Sequence, residues 1–98
     1  DHIKRWGRQI IDRASQESAI ALYLSAGEID LRNELRHISQ PTLILHGEAD
    51  ALVSVEEARR LAEILPNAKL SVLPGAGHVP TMTHPLEVAH EIMNFFRI

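Results

Sequence analysis

Two segments hold the residue types that acid–base chemistry requires. Leu45-His46-Gly47-Glu48-Ala49-Asp50 ends in a carboxylate, and Leu73-Pro74-Gly75-Ala76-Gly77-His78 ends in an imidazole. Each follows an aliphatic run, so each reads as a loop leaving the carboxyl end of a strand, where open α/β sheets carry their sites. A carboxylate beside a histidine can hold one ring nitrogen and stabilise the imidazolium, while the other nitrogen takes a proton from a nucleophile. Taken alone, Asp50 serves equally well as a cap for the turn that follows it, and a lone loop histidine is usually an ordinary polar residue. Together they weigh more, because one strand–helix–strand crossover separates them and brings both loops to one sheet edge. The pair lacks a nucleophile: there is no Cys, no serine stands in Gly-x-Ser-x-Gly, and Ser54 and Ser71 read as a helix cap and a strand residue.

Other chemistries find less support. Gly75 and Gly77 allow a tight path but do not lead directly into a helix, and no Gly-Lys-Ser/Thr follows, so the loop is not a phosphate cradle. The six histidines include no His-Glu-x-x-His, and His84 and His90 are not a compact helical pair, so no metal site is expected. No cofactor is expected either. His46 reads as a local packing or hydrogen-bonding residue, with the entrance to the acid loop as the alternative. His84 is a possible cap of the last helix. Met82 is an adaptable apolar filler that follows the histidine loop and is a possible substrate contact.

The elements that position these residues follow from apolar spacing. Ile3, Trp6, Ile10 and Ile11 predict a helix over His2 to Arg13, with Gly7 weakening it and Lys4, Arg5 and Arg8 on a solvated face. A second helix is expected from Ser15 or Gln16 to Ala26, stopped by Gly27, and a short third one after Asp30. Thr42-Leu43-Ile44-Leu45 reads as a strand covered on both faces, and Lys69-Leu70-Ser71-Val72-Leu73 as the next. Between them Ser54 and Glu57 predict a capping box, Val55, Ala58, Leu61, Ala62 and Leu65 an apolar face, and Glu56 and Arg60 a surface pair. Pro66-Asn67 ends that helix. A last helix is expected from Pro85, burying Val88, Ile92, Phe95 and Phe96. The division is therefore a helical segment over 1–38 and a strand–helix–strand–helix part over 39–98.

Ninety-eight residues allow one small domain or a piece of a larger one. A hydrophobic fraction of 45% is globular, and aromatics are so few that Leu, Ile, Val and Ala must form the core. Ten Lys and Arg against thirteen Asp and Glu leave a formal charge of -3, which gives no footprint for nucleic acid or an anionic membrane. No apolar run approaches the roughly 20 residues of a membrane span, and cytoplasmic residence is the default expectation. Two parallel strands would leave both outer edges unpaired, so more sheet is expected from a further segment or a second copy of the chain.

Pro41 to Asp50, followed by Leu52-Val53-Ser54, resembles the acid-loop signature of serine α/β-hydrolases. Leu73 to His78, then His84-Pro85, resembles their histidine loop and final helix. The resemblance covers about Leu31 to Phe96 and implies the C-terminal portion of that fold, with an incomplete sheet of two parallel strands flanked by helices. It implies Asp50 as the acid and His78 as the base of a Ser-His-Asp triad whose serine lies upstream, outside this chain. The stretch before Pro41 would correspond to the end of a cap over the substrate pocket. Asp30-Leu31-Arg32 and His78-x-Pro80-x-x-x-His84-Pro85 resemble small carboxyl-ester hydrolases, which implies a small-molecule ester as substrate. The alternative is a non-catalytic fragment that associates with a missing half or with itself.

Overall fold

The computed structural model of the chain describes residues 1–97. Its elements are α1 (His2–Asp12), α2 (Gln16–Ala26), α3 (Arg32–Leu35), β1 (Thr42–Gly47), α4 (Val55–Ile64), β2 (Ala68–Leu73), α5 (Pro80–Thr83) and α6 (Pro85–Phe96). They form two compact units, Asp1–Asp30 and a second that begins at Leu31.

In the first unit α1 begins where the Asp1 carboxylate accepts the Ile3 amide at 2.9 Å, satisfying one of the donors a helix start leaves free. The helix runs through Gly7 unbroken, so the glycine's cost of roughly 0.5–1 kcal/mol relative to Ala does not interrupt it. Ser15 caps α2 by accepting the Ser18 amide at 3.3 Å, and Gly27 follows its last residue. Neither helix buries a residue; Trp6, Ile20, Leu22 and Tyr23 are all more than half exposed.

The second unit is organised by β1 and β2, which pair in parallel from Thr42 opposite Ala68 to Gly47 opposite Leu73. This register brings the two strands to their carboxyl ends together. Successive side chains on a strand point to opposite faces. Ile44 accordingly packs with Ala58 and Leu65, joined by Leu61, Ala62 and Leu70. Its neighbour Leu45 packs with the other cluster, Leu73, Ala76 and Val88. The pair of strands thus has α4 against one face and α6 against the other, a helix–sheet–helix arrangement whose sheet holds two strands among the described residues.

Details of the helices differ from the sequence expectation. Ser54 does cap α4, but its hydroxyl accepts the Glu56 amide at 3.3 Å, so the capping box with Glu57 does not form. Glu57 instead pairs with Arg60, and Glu56 with Arg59 at 3.2 Å, each three residues apart rather than the expected Glu56–Arg60. The reason is reach: a carboxylate engaged by the next turn's arginine cannot also turn back to the cap. The last helix buries Val88 alone, while Ile92 and Phe96 are exposed and Phe95 is half-buried. His84 stands at the N-cap position without a capping side-chain bond, because its Nδ1 meets the Thr83 hydroxyl at 2.8 Å. The short α5 was not expected, since four residues opened by Pro80 display no helical period.

Candidate active site

The site grows from the point where the two strands end. Past the last register pair, the Glu48 amide donates to the Leu73 carbonyl at 3.0 Å and the Ala49 amide to the Ala76 carbonyl at 2.9 Å. These two bonds carry the ladder one step into the loops and tie the acid loop to the histidine loop. Gly75 takes a φ of 71°, the left-handed region open to glycine, which turns the chain back toward β1 after Pro74. Gly47 is required for a different reason. A Cβ there would sit 2.2 Å from the Gly77 carbonyl oxygen and 2.3 Å from that of Ala76, so the two loops touch through backbone alone.

Asp50 and His78 face each other across this seam, with His78 Nδ1 3.0 Å from Asp50 Oδ2. The Asp50 carboxylate is almost fully enclosed, its side chain 3% exposed, whereas that of His78 is 48% exposed. The other carboxylate oxygen, Oδ1, accepts the amides of Leu52 at 2.8 Å and Val53 at 2.9 Å. That turn is the capping role that the sequence allowed for Asp50, and it coexists with the histidine contact because each uses its own oxygen. The Val53 amide, then the His78 ring and the Leu52 amide, hold the Asp50 carboxyl down to about 2 from an ordinary 3.8, against an opposing push from desolvation. Asp50 is therefore an anion at neutral pH.

A carboxylate on Nδ1 selects the imidazole tautomer with its proton there and leaves Nε2 as the basic nitrogen. Among the described residues Nε2 of His78 has no hydrogen-bond partner, and the exposed ring offers it to whatever lies beside the loop. This arrangement can take a proton from a hydroxyl and return it to a leaving group.

His46, at the end of β1, reaches over the acid loop. Its Nε2 lies 2.9 Å from the Val53 carbonyl oxygen and 3.4 Å from Asp50 Oδ2. The sequence leaves His46 as a local packing or hydrogen-bonding residue; the partner is seven positions on and comes within reach only once the loop has turned. Met82 lies on α5, four residues after His78, and is 38% exposed. Ser54 is engaged at the α4 cap. Among the described residues no group of three His, Asp or Glu side chains is arranged to hold a metal ion, and no helix is long and apolar enough to cross a membrane.

A family model described as alpha/beta hydrolase fold matches residues 3–85. The chain belongs to the alpha/beta hydrolase family. A biotin biosynthesis bifunctional protein, BioHC, from Teredinibacter turnerae is 39% identical over 84 residues, covering 85% of this chain and 15% of that protein. A pimeloyl-[acyl-carrier protein] methyl ester esterase from Vibrio vulnificus is 32% identical over 79 residues, or 81% of this chain and 31% of that one. Among solved structures, an alpha/beta hydrolase from the sediment metagenome of the Mar Chica lagoon in Morocco superposes with a TM-score of 0.80 at 25% identity. It covers 97% of this chain and 43% of its own. A thermophilic esterase from Thermogutta terrifontis gives a TM-score of 0.67 at 37% identity, over 69% of this chain and 25% of that one. The chain thus spans between 15% and 31% of the length of these two curated relatives, and its two parallel strands with their flanking helices make up part of the alpha/beta hydrolase fold.

Proposed function

We propose that this chain is the C-terminal, acid-and-base-bearing part of a serine hydrolase that cleaves carboxylic esters, the serine being supplied by a segment outside it. The observation that carries the reading is the 3.0 Å approach of His78 Nδ1 to an Asp50 carboxylate already clamped by two amides. In this reading the external serine attacks the acyl carbon while His78 Nε2 accepts its proton. Asp50 stabilises the imidazolium, and backbone amides of the external segment hold the oxyanion. The tetrahedral adduct collapses, His78 returns the proton to the leaving alkoxide, and an acyl-serine remains. Water then attacks, His78 takes its proton and gives it to the serine, and the acid is released. Nothing in the cycle calls for a cofactor, and Met82 is a possible lining residue of the pocket beside His78.

The methyl ester of an acid bound to an acyl carrier protein is the first substrate to test, since relatives at 32% and 38% identity are named for it. The exposed Trp6, Leu22 and Tyr23 support a second reading that bears on the isolated chain: it associates, with the missing segment or a second copy, and does not catalyse alone. One experiment addresses both. Ester turnover is measured for the chain alone and for the chain combined with a serine-bearing segment of a relative. The proposal expects turnover only in the combination, and loss of at least about a hundredfold on His78→Ala. Turnover by the chain alone, or none in a folded combination, would overturn it.

A further inference from the structure

His46 is the second imidazole at Asp50, and the chemistry of its neighbours makes its Nε2 a donor. The Val53 carbonyl, 2.9 Å from His46 Nε2, can only accept, so Nε2 carries a hydrogen. Val53 at the same time donates its amide to Asp50 Oδ1 at 2.9 Å. The same Nε2 lies 3.4 Å from Asp50 Oδ2, the oxygen that meets His78 Nδ1 at 3.0 Å. A closed ring results: His46 to the Val53 carbonyl, the Val53 amide to one carboxylate oxygen, and the other oxygen back toward His46. One member of this ring stands on a paired strand, opposite Val72 of β2, while Asp50 and Val53 belong to a loop without ladder pairing. The His46 side chain is 16% exposed, so water competes poorly for the bond.

We propose that His46 is a positioning residue: its Nε2–H anchors the Asp50–Val53 turn to β1 and thereby aims Asp50 Oδ2 at His78. It touches no reacting atom and acts through Asp50. The kinetic part of this inference rests on the relay proposed above; the hydrogen-bonding part does not. Removing the donor leaves the Val53 carbonyl without its partner and lets the carboxylate rotate relative to His78. The expected effect is a fall in kcat of about threefold to tenfold with KM nearly unchanged, the scale of one lost neutral hydrogen bond. Gln places an N–H near the position of Nε2 and should restore what Ala removes.

The test labels histidine with ¹⁵N in the full chain and reads the ring nitrogens of His46 and the Nδ1 proton of His78, in wild type, His46→Ala and His46→Gln. Turnover is measured on the same proteins combined with a serine-bearing segment. Expected are a protonated Nε2 on His46, a displaced His78 proton signal and lowered kcat in His46→Ala, and recovery of both in His46→Gln. A bare Nε2 in wild type overturns the inference even where the alanine variant fails to fold. So does a folded His46→Ala with an unmoved His78 signal, or a folded His46→Gln that recovers nothing. Failure of the relay itself would show elsewhere, as full turnover in His78→Ala, and would leave the His46 ring signals as the structure draws them while removing the kinetic role.

Discussion

Substituting Gly47 by Ala should damage the site more than the same change at either glycine of the histidine loop. The added Cβ would meet the Gly77 carbonyl oxygen at 2.2 Å, the Ala76 oxygen at 2.3 Å and the Ala76 carbonyl carbon at 2.7 Å. All three are backbone atoms, so no side chain can swing aside, and reaching ordinary contact needs a shift of about 1 Å. That shift opposes the 2.9 Å bond from the Ala49 amide to Ala76 and moves the residue next to His78. Overpacking of this kind costs about 1–3 kcal/mol. A misplacement of about 1 Å in the proton-transfer geometry can lower turnover by roughly a hundredfold. Gly75→Ala meets nothing within 4 Å but holds a φ of +71°, which penalises a side chain by roughly 1–2 kcal/mol. Gly77→Ala has open space and no such backbone, and should be close to neutral. Urea denaturation of the three variants gives the order of stability, and turnover in combination with a serine-bearing segment gives the order of activity. Gly47→Ala within experimental scatter of wild type in both would refute the reasoning, as would Gly77→Ala being the most damaging of the three.

Two further outcomes follow from the same site. Asp50 is held at about 2 in the fold against an ordinary 3.8, so its stabilising contribution is complete above about pH 3.8 and lost as the pH falls through about 2. The stability gap between wild type and Asp50→Asn should therefore shrink on acidification across that window, and a gap that stays constant or widens contradicts the clamp. Ser54→Ala should destabilise the chain by roughly 0.5–2 kcal/mol through loss of the α4 cap, leaving turnover at equal folded fraction nearly unchanged; loss of activity without loss of stability would mean that Ser54 does more than cap.

The strands, the crossover helix and the parallel order can be read from the sequence because β-branched runs and a well-spaced apolar helix leave one economical arrangement. Thr42 to Leu45 has no polar alternation, and Ile44 and Leu45 indeed pack into different clusters on opposite faces. Closeness of Asp50 to His78 follows from the same topology, since both leave the carboxyl ends of adjacent strands. What the sequence does not display is anything decided by loop geometry. His46 meets a carbonyl seven residues on only after the acid loop has turned, and Gly47 approaches Gly77 only after Gly75 has taken its positive φ. Side-chain choices on α4 are equally hidden: Glu57 had two partners within reach, the cap and Arg60, and spacing cannot rank them. The exposed Ile92 and Phe96 show the other limit, because apolar spacing marks which residues seek burial without saying what covers them.

In the proposed relay Asp50 and His78 serve a serine supplied by a segment outside this chain. Covalent trapping tests it most directly. The chain, combined with a serine-bearing segment, is treated with a fluorophosphonate, which phosphonylates an activated serine oxygen with loss of fluoride, and the adduct is located by mass spectrometry. The account predicts one adduct on the serine-bearing segment, none on Ser54 or Ser71, and labelling at least about a hundredfold slower in folded His78→Ala. An adduct on a serine of this chain, or equal labelling rates with and without the His78 imidazole, would contradict it.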